Sequence, residues 1–202
     1  MKNKHLLEGA ESFLVPEKFA SFAALKKVRP KKPYRPSALD LQIRLSRTRI
    51  EARLMHKAKL AGIPCPHVFA IGRDYILMQK LCGKTLNRID GKKIPLSVWK
   101  KSGQYLARLH GAKITHGDFT PANLMLAPGS KKLFVIDFGL GFVTCDIEDF
   151  AVDVLTMKNS LGKKEGAAFL SAYAKFGDKR VLQKMKEVES RARYCVRQGA
   201  SG

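Results

Sequence analysis

Two short polar motifs limit what this chain can fold into more than any other feature. His116-Gly117-Asp118-Phe119-Thr120-Pro121-Ala122-Asn123 comes first, and Asp137-Phe138-Gly139 follows at the end of the apolar, β-like run Leu133–Ile136. A loop and a strand end of this kind bring Asp118, Asn123 and Asp137 close together. Asp118 can accept or orient a hydroxyl proton. Asn123 and Asp137 offer oxygen ligands of the sort Mg²⁺ takes. A lone Asp-Phe-Gly would read as a turn around a buried acid. Two such motifs in this order, joined by an apolar strand, point instead to phosphoryl transfer, which needs a positioned hydroxyl and metal ions across the phosphates.

The spacing Asp118-x-x-x-x-Asn123, with Asp-Phe-Gly after a hairpin, is that of the protein-kinase catalytic loop. Gly117 stands where that loop usually carries an arginine that answers a phosphate on the activation segment, so no switch of that kind is expected. Upstream, Gly9-Ala10-Glu11-Ser12 reads as a turn in the place of a loop over nucleotide phosphates, although Gly-x-Gly-x-x-Gly is absent. Phe22–Lys27 reads as the strand that carries an ATP-gripping lysine. Lys26 fits the Ala-x-Lys alternation and Lys27 fits the spacing to the next segment, so periodicity leaves both open. Val28–Arg35 is a proline-punctuated basic loop. Leu39–Leu60 reads as a helix with Leu41, Leu45, Ile50, Leu54 and Met55 on one face and basic residues on the other. Its Glu51 is placed to pair with the lysine.

Gly62–Pro66 ends that helix, and His67–Ile71 with Tyr75–Met78 form a predicted hairpin. Met78–Gly83 reads as a hinge where backbone groups of Gln79 and Leu81 meet adenine. Pro95–His110 is a predicted helix with Leu96, Trp99, Leu106 and Leu109 for the core and His110 as a structural residue at its end. After Gly139 only residues 140–202 remain, too few for a full activation segment and the usual set of helices. Asp146–Leu155 reads as a helix whose Asp153 accepts backbone N–H groups of the catalytic loop. Gly166–Tyr173 and Val181–Tyr194 complete a reduced helical part, and Lys186, Arg191, Arg193 and Arg197 make the tail basic. The expected fold class is α+β: a minimal bilobal protein-kinase-like fold, with a small β-rich N-lobe over 1–80 and a reduced helical C-lobe over 81–202, together one kinase domain.

The formal net charge is +21, from 38 Lys+Arg against 17 Asp+Glu. Such an excess calls for a polyanionic partner, nucleic acid first and an anionic membrane surface second. No apolar run approaches the roughly 20 residues that span a bilayer, and Met1–Glu11 lacks the apolar core of a secretory signal. Cys65, Cys82, Cys145 and Cys195 are widely separated, which fits reduced thiols in a cytoplasmic protein and neither a zinc site nor a disulfide frame.

The chain resembles, nearly end to end, the small atypical kinase subunit of the KEOPS tRNA-modifying complex, a relative of the RIO kinases. Gly9-Ala10-Glu11 looks like that family's reduced nucleotide loop. Lys27-x-Arg29-x-x-Lys32-x-Tyr34-Arg35 looks like its lysine and basic Tyr-Arg segment, which favours Lys27 over Lys26. Arg47-Thr48-Arg49-Ile50-Glu51-Ala52-Arg53-Leu54 is similar to its R-T-x-x-E-A-R-L helix. His116-Gly117-Asp118, Ile136-Asp137-Phe138-Gly139-Leu140 and Glu148-Asp149-x-Ala151-Val152-Asp153 are similar to its other motifs. The chain departs from the family at Gln79 and Cys82, where an acidic hinge is common, and at the tip of its tail. The resemblance implies an ATP- and Mg²⁺-dependent Ser/Thr kinase that autophosphorylates in isolation and acts mainly as an ATPase within the complex, supporting threonylcarbamoylation of tRNA. It implies two protein partners, the threonylcarbamoyl-transferase subunit and a small dimerising subunit, and tRNA, with no membrane. The alternatives are a small-molecule kinase with the same His-Gly-Asp core, which needs a larger acceptor-binding part than 140–202 allows, and a non-catalytic RNA-binding scaffold.

Overall fold

The computed structural model describes residues 7–8, 11–129 and 132–199, with side chains over 11–129 and 132–191. Gly9 and Ala10 of the expected phosphate loop lie outside the described residues, as do the side chains of Arg193 and Arg197. The N-terminal part is a five-stranded antiparallel sheet in the order β1-β2-β3-β5-β4. Its strands are β1 (Leu7–Glu8), β2 (Phe13–Phe19), β3 (Phe22–Val28), β4 (Val68–Ile71) and β5 (Tyr75–Gln79). Helix α1 (Ser37–Leu60) crosses between β3 and β4. Strand β3 is central, paired with β2 on one side and β5 on the other. Its side chains alternate between the faces, so Leu25 and Lys27 share one face and Ala24 and Lys26 the other.

Helix α1 corrects the apolar stripe expected on it. Leu54 and Met55 are buried, but Leu41 and Ile50 are exposed and Leu45 is only half-buried. The inward positions over residues 37–51 are Asp40, Thr48 and Glu51, all buried. An ionic network, described below, replaces apolar contact there, so hydrophobic periodicity could not find the inward face. Past Gly62 the chain runs through Cys65 to the β4–β5 hairpin, then to β6 (Lys84–Thr85) and helix α2 (Leu96–Gly111). In α2 Val98, Trp99, Leu106 and Leu109 are buried while Leu96, at the first turn, is exposed. That is a second correction, since the helix begins one residue beyond Pro95 with Leu96 and Ser97 at the surface.

Strands β7 (Ile114–Thr115) and β10 (Phe142–Val143) pair with each other, and β8 (Leu124–Leu126) lies between β6 and β9 (Leu133–Val135). Three helices follow: α3 (Ile147–Asn159), α4 (Lys163–Phe176) and α5 (Lys179–Gly199). A Cβ on Gly103 of α2 would run into the Phe169 carbonyl oxygen, so glycine lets α2 and α4 approach backbone to backbone. One continuous core joins Leu54 and Met55 of α1 to Leu106, Leu109, Phe119, Val135, Phe138, Val154, Phe169 and Tyr173. The two motifs thus sit where this core meets the sheet. Among the described residues no helix is long and apolar enough to cross a membrane.

Candidate active site

Between the sheet and the helical part lies a cavity of about 430 Å³. That is within the range of small-molecule sites. Leu14, Leu25, Met55, Met78, Leu81 and Met125 supply apolar walls, and Lys27, Glu51, Asn123 and Asp137 converge at its polar end. Lys27 Nζ donates to Glu51 Oε1 at 2.6 Å and to Asp137 Oδ1 at 2.7 Å. The bond to Glu51 ties β3 to α1, and the bond to Asp137 ties β3 to the second motif. Burial opposes the charge on Lys27, but the carboxylates of Glu51 and Asp137 outweigh it and raise its pKa above the ordinary value. Lys26 projects from the other face, its Nζ 4.2 Å from the centre of the Tyr75 ring.

Two backbone requirements shape the motifs. Gly117 has φ of +76°, and a Cβ there would clash with the Leu140 backbone. The missing arginine is therefore also a packing requirement: the catalytic loop passes too close to the turn after Phe138 for any side chain at 117. Asp137 itself adopts φ of +59°. Such strain in a non-glycine residue collects at functional sites. Its Oδ1 accepts from the Gly139 N–H at 3.1 Å as well as from Lys27. Burial pushes the Asp137 carboxyl up, yet the Lys27 ammonium beside it and these hydrogen bonds leave it below the usual carboxylate range.

Asn123 fixes the first motif from within, its Nδ2 donating to the Asp118 main-chain oxygen and to Asp118 Oδ2, both at 2.8 Å. With the nitrogen so engaged, its Oδ1 remains as an oxygen donor beside the cavity. Two hard oxygen donors, Asn123 Oδ1 and a half-exposed Asp137 carboxylate, suit Mg²⁺ completed by phosphate oxygens. Among the described residues there is no cluster of three His, Cys, Asp or Glu that could hold a metal by itself.

Behind the loop, Asp153 accepts the His116 N–H at 2.6 Å, the Gly117 N–H at 2.9 Å and the Thr115 hydroxyl at 2.7 Å. Sequence reading expected the backbone bonds to Asp153. It missed what lies beyond them: Tyr173 O–H meets His110 Nδ1 at 2.7 Å, and His110 Nε2 faces Asp153 Oδ2 at 3.4 Å. Burial lowers the pKa of His110, which is neutral and bonds Asp153 through N–H rather than through charge. Burial pushes Asp153 up, but its hydrogen bonds from His110, His116 and Thr115 hold its pKa below the ordinary value. His116 is fully buried, donates from Nε2 to the Ile136 carbonyl at 3.1 Å and packs against Phe119 and Phe138. Its pKa too is lowered by burial.

The cavity brings together Lys27, Glu51, Gln79, Leu81, Asn123 and Asp137. Asp118 is joined to it through Asn123. Glu11 is not a lining residue; it reaches Arg47 at 3.5 Å, and the adjacent Ser12 lines the cavity instead. At the hinge the Gln79 N–H is committed to the His67 carbonyl, which leaves its carbonyl and the backbone of Leu81 for a base. Arg29, read in the sequence as part of the basic loop Val28–Arg35, is buried and donates to Glu51 Oε2 at 2.6 Å. The signal that could have found it is strand alternation, which puts it on the Lys27 face.

A strand-rich part with a lysine–glutamate pair, closed by an Asp…Asn loop and an Asp-Phe-Gly turn, defines a protein-kinase-like fold. The chain belongs to the RIO-domain family, whose model, RIO1: RIO domain, matches residues 18–158. It is 35% identical over 178 residues to a probable serine/threonine-protein kinase BUD32 homolog of Archaeoglobus fulgidus, covering 85% of this chain and 88% of that protein. It is 35% identical over 191 residues to the EKC/KEOPS complex subunit BUD32 of Encephalitozoon cuniculi, covering 92% and 93%. A probable bifunctional tRNA threonylcarbamoyladenosine biosynthesis protein of Methanobrevibacter smithii is also 35% identical, over 202 residues; the match covers 94% of this chain and 36% of that longer protein. Among solved structures, the Rio2 kinase-ADP/Mg²⁺-phosphoaspartate complex from Chaetomium thermophilum aligns with a TM-score of 0.66 at 16% identity, covering 95% of this chain and 71% of that one.

Proposed function

We propose that this chain is an ATP- and Mg²⁺-dependent Ser/Thr protein kinase and ATPase that serves a KEOPS-type assembly in threonylcarbamoyladenosine modification of tRNA. The observation that carries the reading is the single ammonium of Lys27 bridging Glu51 and Asp137 across the cavity. A binding scaffold has no physical need for that bridge, whereas a site that must grip and orient phosphates does. The name of the Encephalitozoon cuniculi relative supports the assembly, and that of the Methanobrevibacter smithii relative supports the tRNA pathway. By the same reading the partners are the threonylcarbamoyl-transferase subunit, a small dimerising subunit and tRNA. We assign 1–80 to the N-lobe and 81–202 to the C-lobe, with the hinge over Met78–Gly83.

In this mechanism adenine sits among Leu14, Leu25, Met78 and Met125, read by the Gln79 carbonyl and the Leu81 N–H. Lys27, steadied by Glu51, draws the phosphates to the polar end. Asn123 and Asp137 hold Mg²⁺, which when bound neutralises charge on the phosphate oxygens. Asp118, its carboxylate aimed by Asn123, accepts the proton of a seryl, threonyl or water oxygen as that oxygen bonds to the γ-phosphorus. The bond from that phosphorus to the bridging oxygen breaks and ADP leaves with the electron pair. The test is turnover of labelled ATP and label transfer to protein, with Mg²⁺ and with chelator, for wild type and Asp118→Ala. Removing such a group typically costs about 10²–10⁴ in rate. Equal turnover by the two proteins would overturn the assignment.

A further inference from the structure

Arg29 is a buried cation of the cleft that the mechanism above leaves without a task. Only one residue separates it from Lys27, and the two side chains divide the Glu51 carboxylate between them. Lys27 Nζ takes Oε1 and Arg29 Nη2 takes Oε2, each at 2.6 Å. Lys27, Arg29 and Glu51 are all buried. A Cβ built on Gly139 would lie 3.4 Å from Arg29 Nη2 and 3.5 Å from Lys27 Nζ, so both cations flank the Asp-Phe-Gly turn. With Asp137 bonded to Lys27, two cations and two anions close a neutral cluster.

We propose that Arg29 is a positioning residue: it holds Glu51, and with it α1, in the cleft independently of Lys27, so that Lys27 alone changes partners when nucleotide enters. This rests on the nucleotide-binding reading of the cleft. Lysine offers a mobile point charge with three donors, and incoming phosphates compete for it. Were lysine the sole partner of Glu51, that exchange would leave a buried carboxylate unpaired, an expensive state. A guanidinium on the second oxygen removes the conflict, because arginine keeps its charge and stays in place while the lysine moves. The rest of the network fixes the same relationship. The Arg29 N–H donates to the Asp74 carbonyl at 2.8 Å, and the Asp74 carboxylate accepts from Arg44 of α1, which also bonds Asp40. Helix α1 is therefore held by ions along the stretch where Leu41 and Ile50 face outward. A helix held this way needs no phosphate on an activation segment to bring it in, which agrees with glycine at 117.

Amide hydrogen exchange and steady-state kinetics on the full chain test this with Arg29→Gln, Arg29→Lys and Lys27→Met. In Arg29→Gln, exchange across residues 47–54 should quicken and Mg·ATP turnover should fall on the order of 10²-fold, as for a misplaced catalytic group. KM for ATP should change far less. Arg29→Lys, which keeps the charge without the fixed guanidinium, should recover only part of the turnover, which a loss of packing alone would not allow. In Lys27→Met turnover should also fall, with exchange in α1 as in wild type. Wild-type exchange and turnover in Arg29→Gln would overturn the proposal, as would an α1 loosened equally by Lys27→Met. If Arg29→Gln does not fold, the exchange pattern of Lys27→Met decides alone. If wild type binds no Mg·ATP in calorimetry, the kinase reading fails, and the exchange comparison still decides the role of Arg29.

Discussion

Asn123 and Asp118 form a closed unit, one amide nitrogen bonded at 2.8 Å to both the main-chain oxygen and the carboxylate of the same residue. On the proposed reading two jobs fall on one side chain: orienting the acid and presenting an oxygen to metal. Asn123→Ala should lower turnover about as much as Asp118→Ala, within the range of about 10²–10⁴. Unlike Asp118→Ala, it should also raise the Mg²⁺ concentration needed for half-maximal rate. A Mg²⁺ titration of the two variants separates the roles.

Lys26 and Lys27 are neighbours in sequence and lie on opposite faces of β3. Lys27→Ala leaves Glu51 with Arg29 but deprives the cleft of its mobile cation, so turnover should collapse. Lys26→Ala loses a cation–π contact with Tyr75 worth about 0.5–1 kcal/mol at an exposed site, and activity should stay near wild type. Side-by-side kinetics check the ranking; its reversal would move the phosphate lysine by one residue.

Gly117→Ala should be costly although only a methyl group is added. Positive φ and the clash with the Leu140 backbone act together. Backbone strain of this kind costs on the order of 1–3 kcal/mol, read as a drop in unfolding free energy by denaturant titration. Turnover should fall too, since the clash displaces Asp118 next door.

Burial depresses the pKa of both His110 and His116 from the ordinary 6.5. Above that pH both are neutral in folded and unfolded chains alike. Below it the unfolded chain takes up protons that the folded chain refuses. Stability should therefore fall as pH drops from 6.5, at up to roughly 1.4 kcal/mol per unit for each histidine. Asp137 and Asp153, whose folded values are depressed, add their loss only as pH falls through about 4, the unfolded carboxylate range. His110→Gln should flatten the upper limb and leave the lower one, by thermal melts across pH.

The positive charge predicts salt-sensitive tRNA binding, with a log–log slope of about −0.9 per duplex phosphate contacted and −0.7 per single-strand contact. Arg191 is half-committed already, to Glu148 at 2.9 Å. Changing Arg191, Arg193 and Arg197 to Gln should flatten the slope by roughly two to three units and leave basal ATP turnover near wild type. An unchanged slope would exclude the tail as an RNA contact. Arg29 lies outside such a set, being buried against Glu51.

The sequence by itself determined the candidate set that meets at the cleft, because Asp118, Asn123 and Asp137 lie within motifs whose spacing is local. It also determined β3, the extent of α1 to within two residues, and the backbone role of Asp153, since strand alternation, proline breaks and motif order are read along the chain. What only the tertiary structure decided are relationships between residues far apart in sequence. Lys27 separated from Lys26 when β3 took its place between β2 and β5 with one face to the cleft. Arg29, one of several cations of a basic loop by sequence, became the partner of Glu51, 22 residues away, because burial of a charge depends on where its counter-charge folds. The inward face of α1 stayed hidden for the same reason: a face sealed by ion pairs carries no hydrophobic period. The His110–Tyr173 contact spans 63 residues, and its geometry exists only once α2 and α4 close together at Gly103.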